Sequence, residues 1–192
     1  MTIQLAQYWG WFMNSQPNAE AFRDVLLSAH ELHPEGISYL EIGLGNCGTI
    51  NAVDYMLDQI PGTHSIVGIE VESWTQKYLT PYRSSIFIGG REVIPQWQYD
   101  VVLIDACHCK ECVMKDFEAV EGLVTQGGFV LFHDTDEAVQ GIHKDTCENP
   151  HQVNGIETLA ALDEINFTGW ESFRKTDGKV EQWHGLHVYR KL

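Results

Sequence analysis

Residues 37–48 read Ile37-Ser38-Tyr39-Leu40-Glu41-Ile42-Gly43-Leu44-Gly45-Asn46-Cys47-Gly48, and this stretch decides the fold. An apolar strand, Ile37 to Ile42, runs into three glycines at Gly-x-Gly-x-x-Gly spacing. A helical pattern follows from about Thr49 to Gln59. Glycines at that corner let the chain turn sharply off the strand and let a ligand approach bare backbone. A lone motif of this kind is weak; flanked by a strand, a helix and an acid at the next strand end, it becomes specific. That acid is Glu70, closing the apolar run Ser65 to Glu70 after the Pro61-Gly62 stop. A carboxylate there can accept hydrogen bonds from both ribose hydroxyls of a nucleoside.

Outward from this corner the alternation continues. Residues 18–32 place Phe22, Val25, Leu26, Ala29 and Leu32 at helical spacing, with Asn18 as the expected N-cap. A short helix is expected over Trp74 to Tyr82 and a third strand over Ser85 to Ile88. Asp100 to Ile104 is a continuous apolar run, as for a strand covered on both faces. Val113 to Leu123 is helical and ends at Gln126-Gly127-Gly128; Phe129 to Phe132 is a fifth strand. Residues 136–155 read as a loop and Ile156 to Ile165 as a helix. Two last strands, near Gly169 to Lys175 and Gly185 to Arg190, are separated by the turn Thr176-Asp177-Gly178-Lys179. The alternation predicts an α/β protein with a doubly wound, mostly parallel sheet of seven strands. The final pair has no room for a crossover helix, so it forms an antiparallel C-terminal hairpin. One domain spanning residues 1–192 is expected, with 1–35 as an N-terminal helical segment.

Bulk properties narrow the partners. The chain has 192 residues and a formal net charge of −15, with a pI near 4.8. Nucleic acid and anionic lipid attract basic surfaces, so neither is expected as a partner; a small-molecule acceptor is. No run of 18 apolar residues appears, so no membrane span is expected. Residues 1–16 lack a basic segment followed by an apolar one, so no signal peptide is expected and the chain reads as cytoplasmic. Five cysteines without a regular framework fit a reducing compartment.

The choice of nucleoside rests on Glu41, two residues before the first glycine. A carboxylate there opposes a pyrophosphate but attracts an amino group, which favours S-adenosylmethionine over NAD. Asp105 ends the fourth strand, and His133-Asp134 ends the fifth at the corresponding edge, where open α/β sheets bind ligands. If those strands are neighbours, Asp105, His133 and Asp134 converge. Two carboxylates and an imidazole suit Mg²⁺ or Mn²⁺, which would orient an acceptor hydroxyl and lower its pKa. The plainer alternative is that both aspartates cap helices or bond loop backbone. His108, three residues past Asp105, is a candidate general base, or a loop histidine satisfied by backbone. Cys107, Cys109 and Cys112 invite a zinc reading, but only one knuckle exists, and side chains starting a helix point different ways. Ordinary reduced cysteines are the expectation. Tyr8, Trp9, Trp11 and Phe12 either pack on the domain's own core, cover the acceptor or make a homodimer contact.

At these residues the sequence resembles a class I S-adenosylmethionine-dependent methyltransferase, with its Rossmann-like fold. The likeness is carried by Glu41 to Gly45, Gly68-Ile69-Glu70, Asp100 to Asp105 and Gly127 to Thr135. More narrowly, Ile104 to Glu118 with the Phe132-His133-Asp134-Thr135 segment is similar to a bacterial subgroup. That subgroup includes sugar O-methyltransferases of macrolide biosynthesis and proteins labelled cephalosporin hydroxylases. The resemblance implies cofactor contacts at Glu41, Gly43, Gly45 and Glu70, and in its metal-dependent branch a divalent ion at Asp105, His133 and Asp134; Gly48 and Asp105 are expected to line the cofactor as well. Asp105 and His108 are the expected catalytic residues. Two departures stand out: Cys107 replaces an acid of the subgroup, and Gly89-Gly90-Arg91-Glu92 replaces an acid near the adenine. The first leaves a non-catalytic S-adenosylmethionine-binding protein as an alternative; a nicotinamide-dependent oxidoreductase is the third reading.

Overall fold

A computed structural model of the chain describes residues 3, 16–78, 84–136, 155–176 and 185–192. Seven strands form one sheet in the order β3-β2-β1-β4-β5-β7-β6. They are β1 (Ser38–Ile42), β2 (Ser65–Glu70), β3 (Ser84–Ile88), β4 (Tyr99–Ile104), β5 (Val124–His133), β6 (Trp170–Thr176) and β7 (Leu186–Lys191). β1 to β5 pair in parallel; β7 runs antiparallel to both β5 and β6. The chain order therefore reverses at β1, where β2 lies on one side and β4 on the other. Such a switch point opens a crevice beyond the strand ends.

Period-two alternation sorts β4 and β5 between two cores. Val101, Leu103, Phe129 and Leu131 face helices α1 (Gln16–Leu32) and α2 (Gly48–Leu57), packing with Phe22, Leu26, Ile50 and Val53. Val102, Ile104, Val130 and Phe132 face the other way, toward Val113 and Phe117 of α3 (Lys110–Val120) and Ala161 of α4 (Gly155–Glu164). Both faces are covered, which is why the central strands read as unbroken apolar runs.

Four expectations are corrected. Asn18 is no N-cap: α1 begins at Gln16, and buried Asn18 accepts a 2.5 Å hydrogen bond from the Thr176 hydroxyl. That hydroxyl in turn accepts from the Leu186 amide at 3.1 Å, tying α1 to the terminal strands. The segment Ser73–Tyr78 is a 3₁₀ helix, and residues 79–83 lie outside the described residues. α3 starts at Lys110 because Cys109, in extended conformation, caps it. Gln126-Gly127-Gly128 sits inside β5 rather than before it: the register jumps from Tyr99↔Val124 to Val101↔Phe129. Gly127 at φ 79° absorbs the bulge. The N-terminal aromatics, Cys147, residues 137–154 of the expected loop and the turn at 177–179 also lie outside the described residues.

Candidate active site

The switch-point crevice is a cleft of about 670 Å³. The glycine turn, Glu70 and Trp74 line one part; Asp105, His108, His133 and Asp134 line another.

The glycine end is made of backbone. The Gly43 amide donates to Ile69 O and the Asp105 amide to Ile42 O, both at 2.9 Å, so three strand ends meet at one point. Gly43 has φ 87°, and a Cβ there would lie 2.2 Å from Asp105 O. Only glycine fits where the two backbones cross. Gly45, at φ 48°, is different: a Cβ there would meet nothing within 4 Å, leaving cleft space free for a ligand. Glu70 draws the turn inward. Its Oε2 accepts from the Leu44 and Gly45 amides at 3.0 and 3.1 Å, and its Oε1 from Val71 and Glu72 at 2.7 and 3.2 Å. The carboxylate thus occupies the end of β2 where the ribose reading puts it. Gly48 opens α2 on the cleft wall, its amide donating to Asn46 Oδ1 at 3.1 Å.

Glu41, expected at the cofactor, lies instead behind the cleft wall. On β1 it shares a face with Tyr39, is 1% exposed, and accepts a 2.7 Å hydrogen bond from the Tyr39 hydroxyl. Burial pushes its carboxyl pKa well above the ordinary value, with the Tyr39 bond working the other way.

The opposite end is made of side chains. His133 Nδ1 lies 2.8 Å from Asp105 Oδ1 and 3.3 Å from Asp134 Oδ1. His108 Nε2 lies 2.6 Å from Asp134 Oδ2 and 3.5 Å from Asp105 Oδ1. Asp134 reaches this arrangement in a left-handed conformation, φ 55°, which a non-glycine residue adopts at a cost. Burial disfavours charge on Asp105, His108 and His133, yet their neighbours favour it. His108 is pushed up to about 10, burial being outweighed by the Asp134 carboxylate. His133 is raised, burial being outweighed by Asp105 and then Asp134, and Asp105 is lowered by His133 against its own burial. In this arrangement the two carboxylates favour the protonated form of His108.

The sequence trio for a cation was Asp105, His133 and Asp134. The structure brings the ligand atoms of Asp105, His108 and Asp134 within 4.8 Å of one another. Oxygen donors with one imidazole fit Mn²⁺ well and Mg²⁺ acceptably.

Two further features were not resolved by sequence. The sulfurs of Cys107, Cys109 and Cys112 converge to within 4.8 Å rather than pointing apart, and no disulfide forms among the described cysteines. Arg91, in the segment lacking the expected acid, pairs through Nε with Asp116 Oδ1 at 2.6 Å and donates to Cys112 O at 3.1 Å. Both line the cleft. Burial raises Asp116 to about 6, against the pull of the Arg91 charge. The departure at Gly89-Gly90-Arg91-Glu92 after β3 was the visible signal; that α3 supplies an acid to meet Arg91 was not.

Comparison with known proteins agrees with this geometry. Residues 42–135 match the model of a family described as a methyltransferase domain. A candidate rRNA methylase from Clostridium thermocellum superposes with a TM-score of 0.66 at 10% identity, over 92% of this chain and 97% of that one. A candidate methyltransferase from Streptococcus mutans, solved with SAH, gives 0.63 at 7% identity, over 94% and 100%. A candidate O-methyltransferase from Klebsiella pneumoniae gives 0.61 at 14% identity, over 90% and 80%. No curated protein matches the chain. Family match and fold point to one class: residues 42–135 match a methyltransferase domain, and the seven-stranded sheet is that of the methyltransferase structures above. The matched residues, 42–135, contain the glycine turn, Glu70 and the whole aspartate–histidine cluster.

Proposed function

We propose that the chain transfers the methyl group of S-adenosylmethionine to a hydroxyl oxygen of a small molecule, with a divalent cation assisting. The observation that carries this reading is the single cleft that joins a nucleoside-type turn to a cluster of two carboxylates and two imidazoles. The net charge of −15 speaks for a small acceptor over a nucleic acid. Sugars are the first acceptors to try, since residues 104–118 and 132–135 resemble sugar O-methyltransferases of macrolide biosynthesis.

In this reading Gly43, Gly45 and Gly48 give the cofactor bare backbone, and Glu70 holds the ribose. Asp105 sits where the two ends of the cleft meet, beside both the turn and the cluster. Methyl transfer is an in-line displacement at the sulfonium carbon, so orientation of the acceptor oxygen accounts for much of the rate. Asp105, Asp134 and an imidazole of His108 or His133 would hold Mg²⁺ or Mn²⁺. When bound, such an ion supplies charge that lowers the pKa of an acceptor hydroxyl. His108, which bridges the two aspartates, is placed to receive the acceptor's proton once those carboxylates are otherwise engaged.

The test is methyl incorporation from labelled S-adenosylmethionine into a panel of small hydroxylated acceptors, with and without Mg²⁺ or Mn²⁺. Methylation that rises with the ion is expected. Thermal stabilisation by S-adenosylhomocysteine should accompany it, because a ligand that binds only the native state raises the Tm. Absence of that stabilisation would sink the reading. Stabilisation without methylation of any acceptor would favour the non-catalytic alternative.

A further inference from the structure

The three thiols at the start of α3 belong to neither the cofactor turn nor the aspartate–histidine cluster. We propose that Cys107, Cys109 and Cys112 form a binding site for a d¹⁰ thiophilic cation, Zn²⁺ in the first place. The geometry comes from the chain's path. Cys109 is extended, φ −79° and ψ 144°, and the helix begins immediately after it. That corner swings Cys107 back on one side and brings Cys112, on the first turn of the helix, back on the other. The result is three sulfurs within 4.8 Å of one another. A tetrahedral shell with Zn–S bonds of about 2.3 Å needs sulfurs about 3.8 Å apart, so rotamer adjustment of about 1 Å closes it.

A second observation points the same way. The Cys112 amide donates to Cys109 Sγ at 3.4 Å, so one sulfur already receives an N–H of the kind that steadies a metal-bound thiolate. Three thiols are too few for an iron–sulfur cluster, which takes four, and are the wrong donors for Mg²⁺ or Ca²⁺. Each is partly exposed, so an ion has a way in, and Cys107 and Cys112 line the cleft. Three protein ligands leave a fourth position, as in exchangeable zinc sites. The bound ion would tie the segment carrying Asp105 and His108 to the first turn of α3, setting the cluster's position from outside it.

The experiment uses the full chain, reduced and stripped with a chelator, and titrated with Cd²⁺. A near-ultraviolet sulfur-to-metal charge-transfer band is expected, saturating at one equivalent with the intensity of three thiolates and displaced by Zn²⁺. Cys109→Ser and Cys112→Ser should each remove about a third of the intensity. Each should also weaken Zn²⁺ binding by more than the about 10–100-fold that changes around a metal's ligands cost. If far-ultraviolet circular dichroism shows that either serine variant fails to fold, Cys107→Ala takes its place. Asp134→Asn should leave the band unchanged, which separates the thiols from the aspartate–histidine cluster. The proposal is overturned by absence of the band, by a band that the folded cysteine variants retain in full, or by one that Asp134→Asn abolishes. None of these readouts depends on S-adenosylmethionine binding or on turnover, so the methyltransferase reading and this one fail separately.

Discussion

The two ends of the cleft are made of different material. At the glycine end the working atoms are main-chain amides, four of them converging on the single carboxylate of Glu70. At the other end they are side chains: two aspartates and two histidines that set one another's charge. Backbone geometry is dictated locally, by which residues tolerate a left-handed turn. Side-chain clusters depend on strands brought together across 28 residues or more of sequence, as Asp105 and His133 are. Two ends built so differently should fail in different ways.

Gly43 is where they touch, and its substitution should break both. Gly43→Ala places a methyl group 2.2 Å from Asp105 O, backbone against backbone, at a φ of 87°. Neither partner is a flexible side chain that can swing away. A loss of about 3–5 kcal/mol is expected, at the top of the range for single substitutions. In a chain this long that lowers the Tm by about 6–20 °C. Differential scanning calorimetry reads it, and the variant should bind neither S-adenosylhomocysteine nor acceptor with measurable heat.

Below that effect the ends should separate. Asp134→Asn removes the carboxylate 2.6 Å from His108 while leaving the glycine turn alone. Turnover should fall by about 10²–10⁴-fold, the usual scale for losing a positioned proton-handling group. Affinity for S-adenosylhomocysteine should stay within about threefold; a parallel loss of both would mean that the cluster shapes the cofactor site instead. Glu70→Gln is the mirror experiment. The amide keeps the shape but loses charge-assisted bonds worth about 1.5–3 kcal/mol each to the turn and ribose. Cofactor affinity should drop by about 10–100-fold in calorimetry, with turnover at saturating cofactor nearly unchanged.

The same contrast explains what could be read from sequence. Parallel order, the terminal hairpin and the glycine corner follow from alternation and from Gly-x-Gly-x-x-Gly, which are local signals. Asp105, His133 and Asp134 were foreseeable because parallel strands deliver their ends to one edge. That His108 joins them was not, because its contact depends on the left-handed conformation of Asp134, whose carboxylate lies 2.6 Å from His108. Glu41 misled for a related reason. Proximity in sequence to the first glycine says nothing about face, and alternation along β1 puts it beside Tyr39 under α2. The Gly127 bulge was hidden because glycine pairs ordinarily mark a loop, whereas here one is absorbed inside a strand.

A subtler contrast lies between two histidines that are nearly equally buried, His108 at 7% exposed and His187 at 8%. Burial alone disfavours charge on both. For His108 the Asp134 carboxylate reverses the outcome, and its pKa rises to about 10. His187, paired with Phe132 in the register of β5 and β7, is lowered to about 4 by burial and then by Lys175, with Asp163 opposing. The consequences for stability have opposite signs. An unfolded histidine takes up its proton near pH 6.5. The folded chain refuses that proton at His187 until about pH 4, so the stabilisation is complete above 6.5 and is lost as pH falls through that window. The folded chain keeps the His108 proton until about pH 10, so that contribution is complete below 6.5 and is lost as pH rises. His187→Gln should therefore flatten only the acid limb of a Tm-against-pH curve, by a few degrees or less. The slope above pH 6.5 should be untouched. A variant whose acid limb matches the wild type would place the acid sensitivity elsewhere in the molecule, and neighbouring charge would no longer account for the difference between the two histidines.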